Sequence, residues 1–61
     1  MPLIQIHLTE GRTIDQKREI AKVVTREVAR IAKVGEDRVK IYFTDIKPEN
    51  VVNGGILKID K

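Results

Sequence analysis

Pro2-Leu3-Ile4-Gln5-Ile6-His7-Leu8 decides how the rest of the chain is read. On an extended backbone Ile4, Ile6 and Leu8 fall on one side, with Leu3, Gln5 and His7 on the other. That alternation ends at Thr9-Glu10-Gly11-Arg12, a turn, and it predicts a β-strand. Thr13-Ile14-Asp15-Gln16 then has the spacing of a capping box. The Thr13 hydroxyl meets the Gln16 N–H, and the Gln16 side chain returns to the Thr13 N–H. Asp15 adds a favourable negative charge in the first turn. The helix that starts here is expected to reach about Lys33, with Gly35 at its end. Ile20, Val24, Val28 and Ile31 form an apolar stripe, with Ala21 and Ala32 beside it. Lys17, Arg18, Lys22, Arg26, Glu27 and Arg30 lie largely on the other side, where Glu19 and Glu27 can pair with neighbouring bases.

Arg38-Val-Lys-Ile-Tyr-Phe-Thr-Asp-Ile46 alternates again and predicts the second strand. Val39, Ile41 and Phe43 share one face; Arg38, Lys40, Tyr42 and Thr44 share the other. Strand, helix, strand is a βαβ unit, so the two strands are expected to be parallel with a right-handed crossover. Lys47-Pro48-Glu49-Asn50 breaks the second strand. Val51-Val52-Asn53-Gly54-Gly55-Ile56-Leu57 has the form of a short hairpin, with Asn-Gly-Gly supplying positive φ angles. The fold class is α/β: a βαβ unit plus a C-terminal β-hairpin.

The chain of 61 residues makes one domain, residues 1–61, too small to build a large core. Domains of this size need a staple, and there is no cysteine for a disulfide or a thiolate metal site. His7 is the only histidine, and a structural zinc site takes about four ligands, so no metal is expected. Self-association is left as the staple. One helix covers one face of a two-stranded sheet, so the bare face and the hairpin edge are expected to pack on another copy. The net charge is +3, but nine acids are dispersed among twelve bases. There is no basic run and no aromatic stacking platform, since Tyr42 and Phe43 are the only aromatic residues. This argues against nucleic acid, and a basic balance suits small anionic molecules equally well. No signal peptide or transmembrane stretch is visible, so the chain is read as cytoplasmic, with no membrane partner.

Pro2 carries the chemistry. Initiator methionine is commonly removed before a small residue, and loss of Met1 leaves Pro2 with a free secondary amine. An α-amino group titrates below lysine, and apolar burial lowers it further. A base poised near neutral pH suits proton transfer. If Met1 is kept, Pro2 is an amide and no base.

The opening Pro2-Leu3-Ile4-Gln5-Ile6-His7-Leu8, the segment Glu10-Gly11-Arg12-Thr13 and the later Asn53-Gly54-Gly55 together resemble the 4-oxalocrotonate tautomerase family over essentially the whole chain. The resemblance implies a homohexamer built as a trimer of dimers, and an isomerase of the kind used in aromatic-compound catabolism. It implies cofactor-free keto–enol tautomerisation of a small anionic enol acid such as 2-hydroxymuconate. Pro2 would be the general base, and Arg12 would grip a substrate carboxylate through its guanidinium fork. Lys40 stands where the family carries a second arginine; it keeps the charge and loses the fork. Arg38 shares the Lys40 face about 6–7 Å along the strand and could supply part of that contact. Val51 stands at the family's aromatic wall and encloses less. These two departures bear on the dicarboxylate substrate more than on proton transfer.

Other readings remain open at this level. Arg12 alone is also an ordinary turn residue, and Lys40 and Arg38 are also exposed strand charges. His7 suits a structural hydrogen bond, and Tyr42 either donates a proton to an enolate or fills an interface. Asp45 and Asp60 have no visible partner. The same fold could serve as a non-catalytic oligomeric scaffold, or act on a different enol acid. Gly54-Gly55 is a turn signal and not a phosphate loop.

Overall fold

A computed structural model describes residues 2–60. Its elements are strand β1 (Leu3–Thr9), helix α1 (Ile14–Ala32), strand β2 (Lys40–Ile46) and two short strands, β3 (Val52–Asn53) and β4 (Ile56–Leu57). Single 3-10 turns occupy Glu36–Arg38, Pro48–Asn50 and Lys58–Asp60. β1 and β2 pair in parallel, with Leu3 opposite Lys40, Ile6 opposite Phe43 and Thr9 opposite Ile46. β3 and β4 pair antiparallel. The expected βαβ unit and hairpin are both present.

The local signals act as the chemistry requires. The Thr13 hydroxyl accepts the Gln16 N–H at 3.0 Å, and the Thr13 N–H donates to Gln16 Oε1 at 2.8 Å. The capping box is therefore closed on both sides. At the other end the helix does not wait for Gly35. Lys33 takes the left-handed conformation (φ 59°, ψ 47°), and its N–H reaches the Ala29 carbonyl. Gly35 instead precedes the next 3-10 turn with φ −69°. That turn also shortens the second strand, which begins at Lys40 and not at Arg38. Arg38 closes the turn by donating its N–H to the Gly35 carbonyl at 3.0 Å. Strand alternation therefore does not set which face Arg38 shares.

Alternation holds within the strands themselves. Ile4, Ile6, Leu8, Ile41 and Phe43 are half-buried on the helix side of the sheet. Leu3, Gln5, His7, Lys40, Tyr42 and Thr44 are exposed on its bare side. The helix meets the sheet along an arc through Lys17, Ile20, Ala21, Val24, Val28 and Ala29. Ile31, placed in the apolar stripe by spacing alone, lies on the flank of that arc near the helix end and is 69% exposed. Lys17 crosses to Asp45 at 2.9 Å, tying the first turns of α1 to the far end of β2.

Ala29, 6% exposed, is the one buried residue among those described. The chain exposes 4926 Å², whereas a folded monomer of 7.0 kDa exposes about 4,000 Å². Its radius of gyration is 14.6 Å, against about 10.5 Å for a compact chain of this length. The molecule measures 43 × 24 × 13 Å. The short dimension is one helix on one sheet, and the long one includes the hairpin, which packs chiefly on the 3-10 turns beside it. Such a shape gives the chain little core of its own.

Candidate functional site

Pro2 sits at the mouth of β1. Its carbonyl accepts the Lys40 N–H at 3.0 Å, so the first residue of β2 holds the residue before β1. Pro2 is half-buried, and its nitrogen faces back along the chain toward Met1, which lies outside the described residues. Lys40 itself is exposed and belongs to the bare side of the sheet, beside Leu3. Arg38 is exposed two residues earlier, at the same end of the βαβ unit.

Arg12 is elsewhere. The ladder runs one residue past β1, where the Glu10 N–H donates to the Ile46 carbonyl at 2.9 Å. Gly11 then turns the chain with φ +120°, a conformation that residues with a Cβ rarely adopt, and Arg12 follows, exposed, just before the Thr13 cap. β1 has seven residues, which span about 23 Å at strand rise. Pro2 and Arg12 of one chain therefore stand at opposite ends of the same strand. One substrate of a few carbons cannot touch both.

Val51 is in a third place, at the base of the hairpin. With Asn53, Ile56 and Lys58 it lines an open cleft of about 240 Å³ that none of Pro2, Arg12, Lys40 or Arg38 lines. Of these lining residues, the sequence marked Asn53 only as part of the turn and did not single out Lys58. The signal was available. A two-residue Gly54-Gly55 turn pairs Asn53 with Ile56 and Val52 with Leu57, so the next pair outward is Val51 with Lys58.

The ion pairs among the described residues join Lys17 to Asp45, Arg18 to Asp15, and Arg26 and Arg30 to Glu27. Arg12, Arg38, Lys40 and Lys58 take no part in them. Acids neutralise much of the helix surface and leave the cations of the loops and strand starts available to an anion. Asp45, which had no partner in sequence, is used by Lys17; His7 and Tyr42 remain exposed on the bare sheet face. Among the described residues no helix is long and apolar enough to cross a membrane.

Comparison with known proteins agrees with this architecture. A family model described as "Tautomerase enzyme" matches residues 2–61. A probable tautomerase of Streptococcus agalactiae is 38% identical over 58 residues, covering 95% of this chain and 97% of that protein. Among solved structures, one from a study of the 4-oxalocrotonate tautomerase isozymes of Methylibium petroleiphilum superposes with a TM-score of 0.93 at 34% identity. The match covers 97% of this chain and 92% of that one. A heterohexameric 4-oxalocrotonate tautomerase from Chloroflexus aurantiacus J-10-fl gives 0.93 at 28% identity, covering 98% and 97%.

Proposed function

The chain belongs to the tautomerase family, and we propose that it is a cofactor-independent keto–enol tautomerase whose general base is the Pro2 amine, freed by removal of Met1. The substrate is a small anionic enol acid of the 2-hydroxymuconate type. The observation that carries this reading is the anchoring of Pro2. A hydrogen bond on its carbonyl side fixes the residue without engaging its nitrogen, which loss of Met1 would free.

The reaction moves one proton. The Pro2 nitrogen takes it from the enol hydroxyl or from carbon and returns it to another carbon of the conjugated system. Between the two transfers the charge is spread over a dienolate, and the substrate's own carbonyl takes most of it. The protein has three tasks: to place the base within hydrogen-bond reach, to hold the anion, and to keep water away. Arg12 holds a carboxylate through its two-pronged fork. Lys40, and Arg38 close by, supply positive charge where the dienolate oxygen develops. Val51 forms an apolar wall.

Because Pro2 and Arg12 stand at opposite ends of β1, the working site combines Pro2 of one chain with Arg12 of another. The assembly is a homohexamer, a trimer of dimers. The excess exposed surface, the unpaired sheet face and the projecting hairpin support this assembly.

The test is ultraviolet monitoring of 2-hydroxymuconate ketonisation by protein shown by intact mass to lack Met1. The expected result is rapid conversion that drops by about a hundredfold or more in Pro2→Ala. A Pro2→Ala variant as fast as the parent would end the proposal.

A further inference from the structure

The hairpin cleft has a chemistry of its own. Gly54 (φ 63°) and Gly55 (φ 85°) form the two-residue turn, which fixes the register of the arm. Asn53 lies opposite Ile56. Beyond the Val52–Leu57 pair, the Lys58 N–H donates to the Val51 carbonyl at 2.8 Å. Asn53 and Ile56, directly opposed, share one face of the hairpin, and the Lys58–Val51 bond sets those two residues next along it. These are the residues that line the cleft.

Two of them are apolar, one is an amide and one is a cation with no acid partner among the described residues. Val51 and Lys58 are joined by that backbone hydrogen bond. A lysine ammonium offers three donors and a compact charge, and the Asn53 amide adds two more donors. An apolar floor with a cation at one end matches a short hydrocarbon skeleton ending in a carboxylate. A complete small-molecule site encloses about 300–1,000 Å³. The cleft, at about 240 Å³, is smaller and open, the size expected of one wall of a site shared between chains.

We propose that Lys58, assisted by Asn53, is a specificity-determining residue that takes the second carboxylate of a dicarboxylate enol. This rests on the proposed tautomerase reading, in which Val51 lines the substrate. It gives the chain a cation that offsets the guanidinium fork missing at Lys40. It also selects a dicarboxylate over a monocarboxylate substrate, although Val51 alone makes a more open wall.

Two measurements test it. In the first, kcat/KM is compared for 2-hydroxymuconate and for its monocarboxylate counterpart, 2-hydroxypenta-2,4-dienoate. In Lys58→Ala the ratio of the two values should fall about tenfold, the worth of one charge-assisted hydrogen bond, and Lys58→Arg should restore it. An unchanged ratio in Lys58→Ala overturns the proposal. In the second, the non-reacting dicarboxylate cis,cis-muconate is titrated against the assembled protein and followed by amide NMR. Saturable shifts are expected at Val51, Asn53 and Ile56, and they should be lost in Lys58→Ala. No saturable shift at the hairpin overturns the assignment. Saturation there without conversion of either enol would support the Lys58 site and count against the Pro2 chemistry alone.

Discussion

The Lys40 amide donates to the Pro2 carbonyl at 3.0 Å, so the start of the second parallel strand fixes the residue that opens the first. The two lie 38 positions apart in sequence, and the long crossover helix brings them together. The bond uses the Lys40 backbone and leaves its side chain to act on the bare side of the sheet. Side-chain substitution at Lys40 should therefore change function without loosening Pro2. Lys40→Ala is expected to lower kcat/KM for 2-hydroxymuconate about tenfold, and Lys40→Arg to equal or exceed the parent, because it regains the fork. Steady-state kinetics with a circular dichroism control for folding checks this.

The separation of Pro2 and Arg12 makes a sharper prediction. Pro2→Ala and Arg12→Ala subunits should each be nearly inactive alone. Unfolded together and reassembled, they should recover activity in about a quarter of the sites, since each intact site needs one wild-type residue from each kind of chain. Recovery absent from a properly reassembled mixture would place both residues' work within one chain, which the length of β1 opposes.

Folding should depend on concentration. With one buried residue among those described and a bare sheet face, the chain has little stability as a monomer. Dilution series followed by circular dichroism and sedimentation should show loss of helix in step with loss of the oligomer. The unfolding midpoint should rise with protein concentration.

Gly11 sits at φ +120° with nothing within 4 Å of the position a Cβ would take. Space is free there, so backbone strain is what a substitution meets. Gly11→Ala is expected to cost about 1–3 kcal/mol and, by moving Arg12, to raise KM more than it lowers kcat. Chemical denaturation and kinetics on the same preparation separate the two effects.

Lys17 and Asp45 join the helix start to the end of β2, with their side chains 21% and 45% exposed. At that exposure the pair contributes about 1 kcal/mol at most. Asp45→Asn should lower the unfolding midpoint slightly, and added salt should narrow the difference from the parent. A double-mutant cycle with Lys17→Met measures the pair directly.

Features set by neighbours in sequence were readable before the structure. The Thr13–Gln16 box, the two alternating strands and the Gly54-Gly55 turn each follow from contacts within four residues. The helix ends near Lys33, as its pattern predicts, but the left-handed residue there is Lys33 and not Gly35, the residue that glycine's conformational freedom favours. Arg38 was given a strand face because its segment alternates, but a 3-10 turn holds it through Gly35. Ile31 shows that spacing alone does not say where the sheet stops. Asp45 finds its partner 28 residues away, a separation that no local pattern encodes. At the candidate site Pro2, Arg12 and Val51 were nameable from the chain. Their distribution over three separate places depends on strand length and hairpin register, and so became visible only with the fold.

The most direct test of the central claim changes no side chain. Two preparations of the same protein, one retaining Met1 and one lacking it as shown by intact mass, are compared in 2-hydroxymuconate conversion. With the Pro2 amine as base, only the processed chain should be active, by a margin of about a hundredfold or more. Equal rates from both preparations would show that an acylated Pro2 suffices, and the account of the base would be wrong.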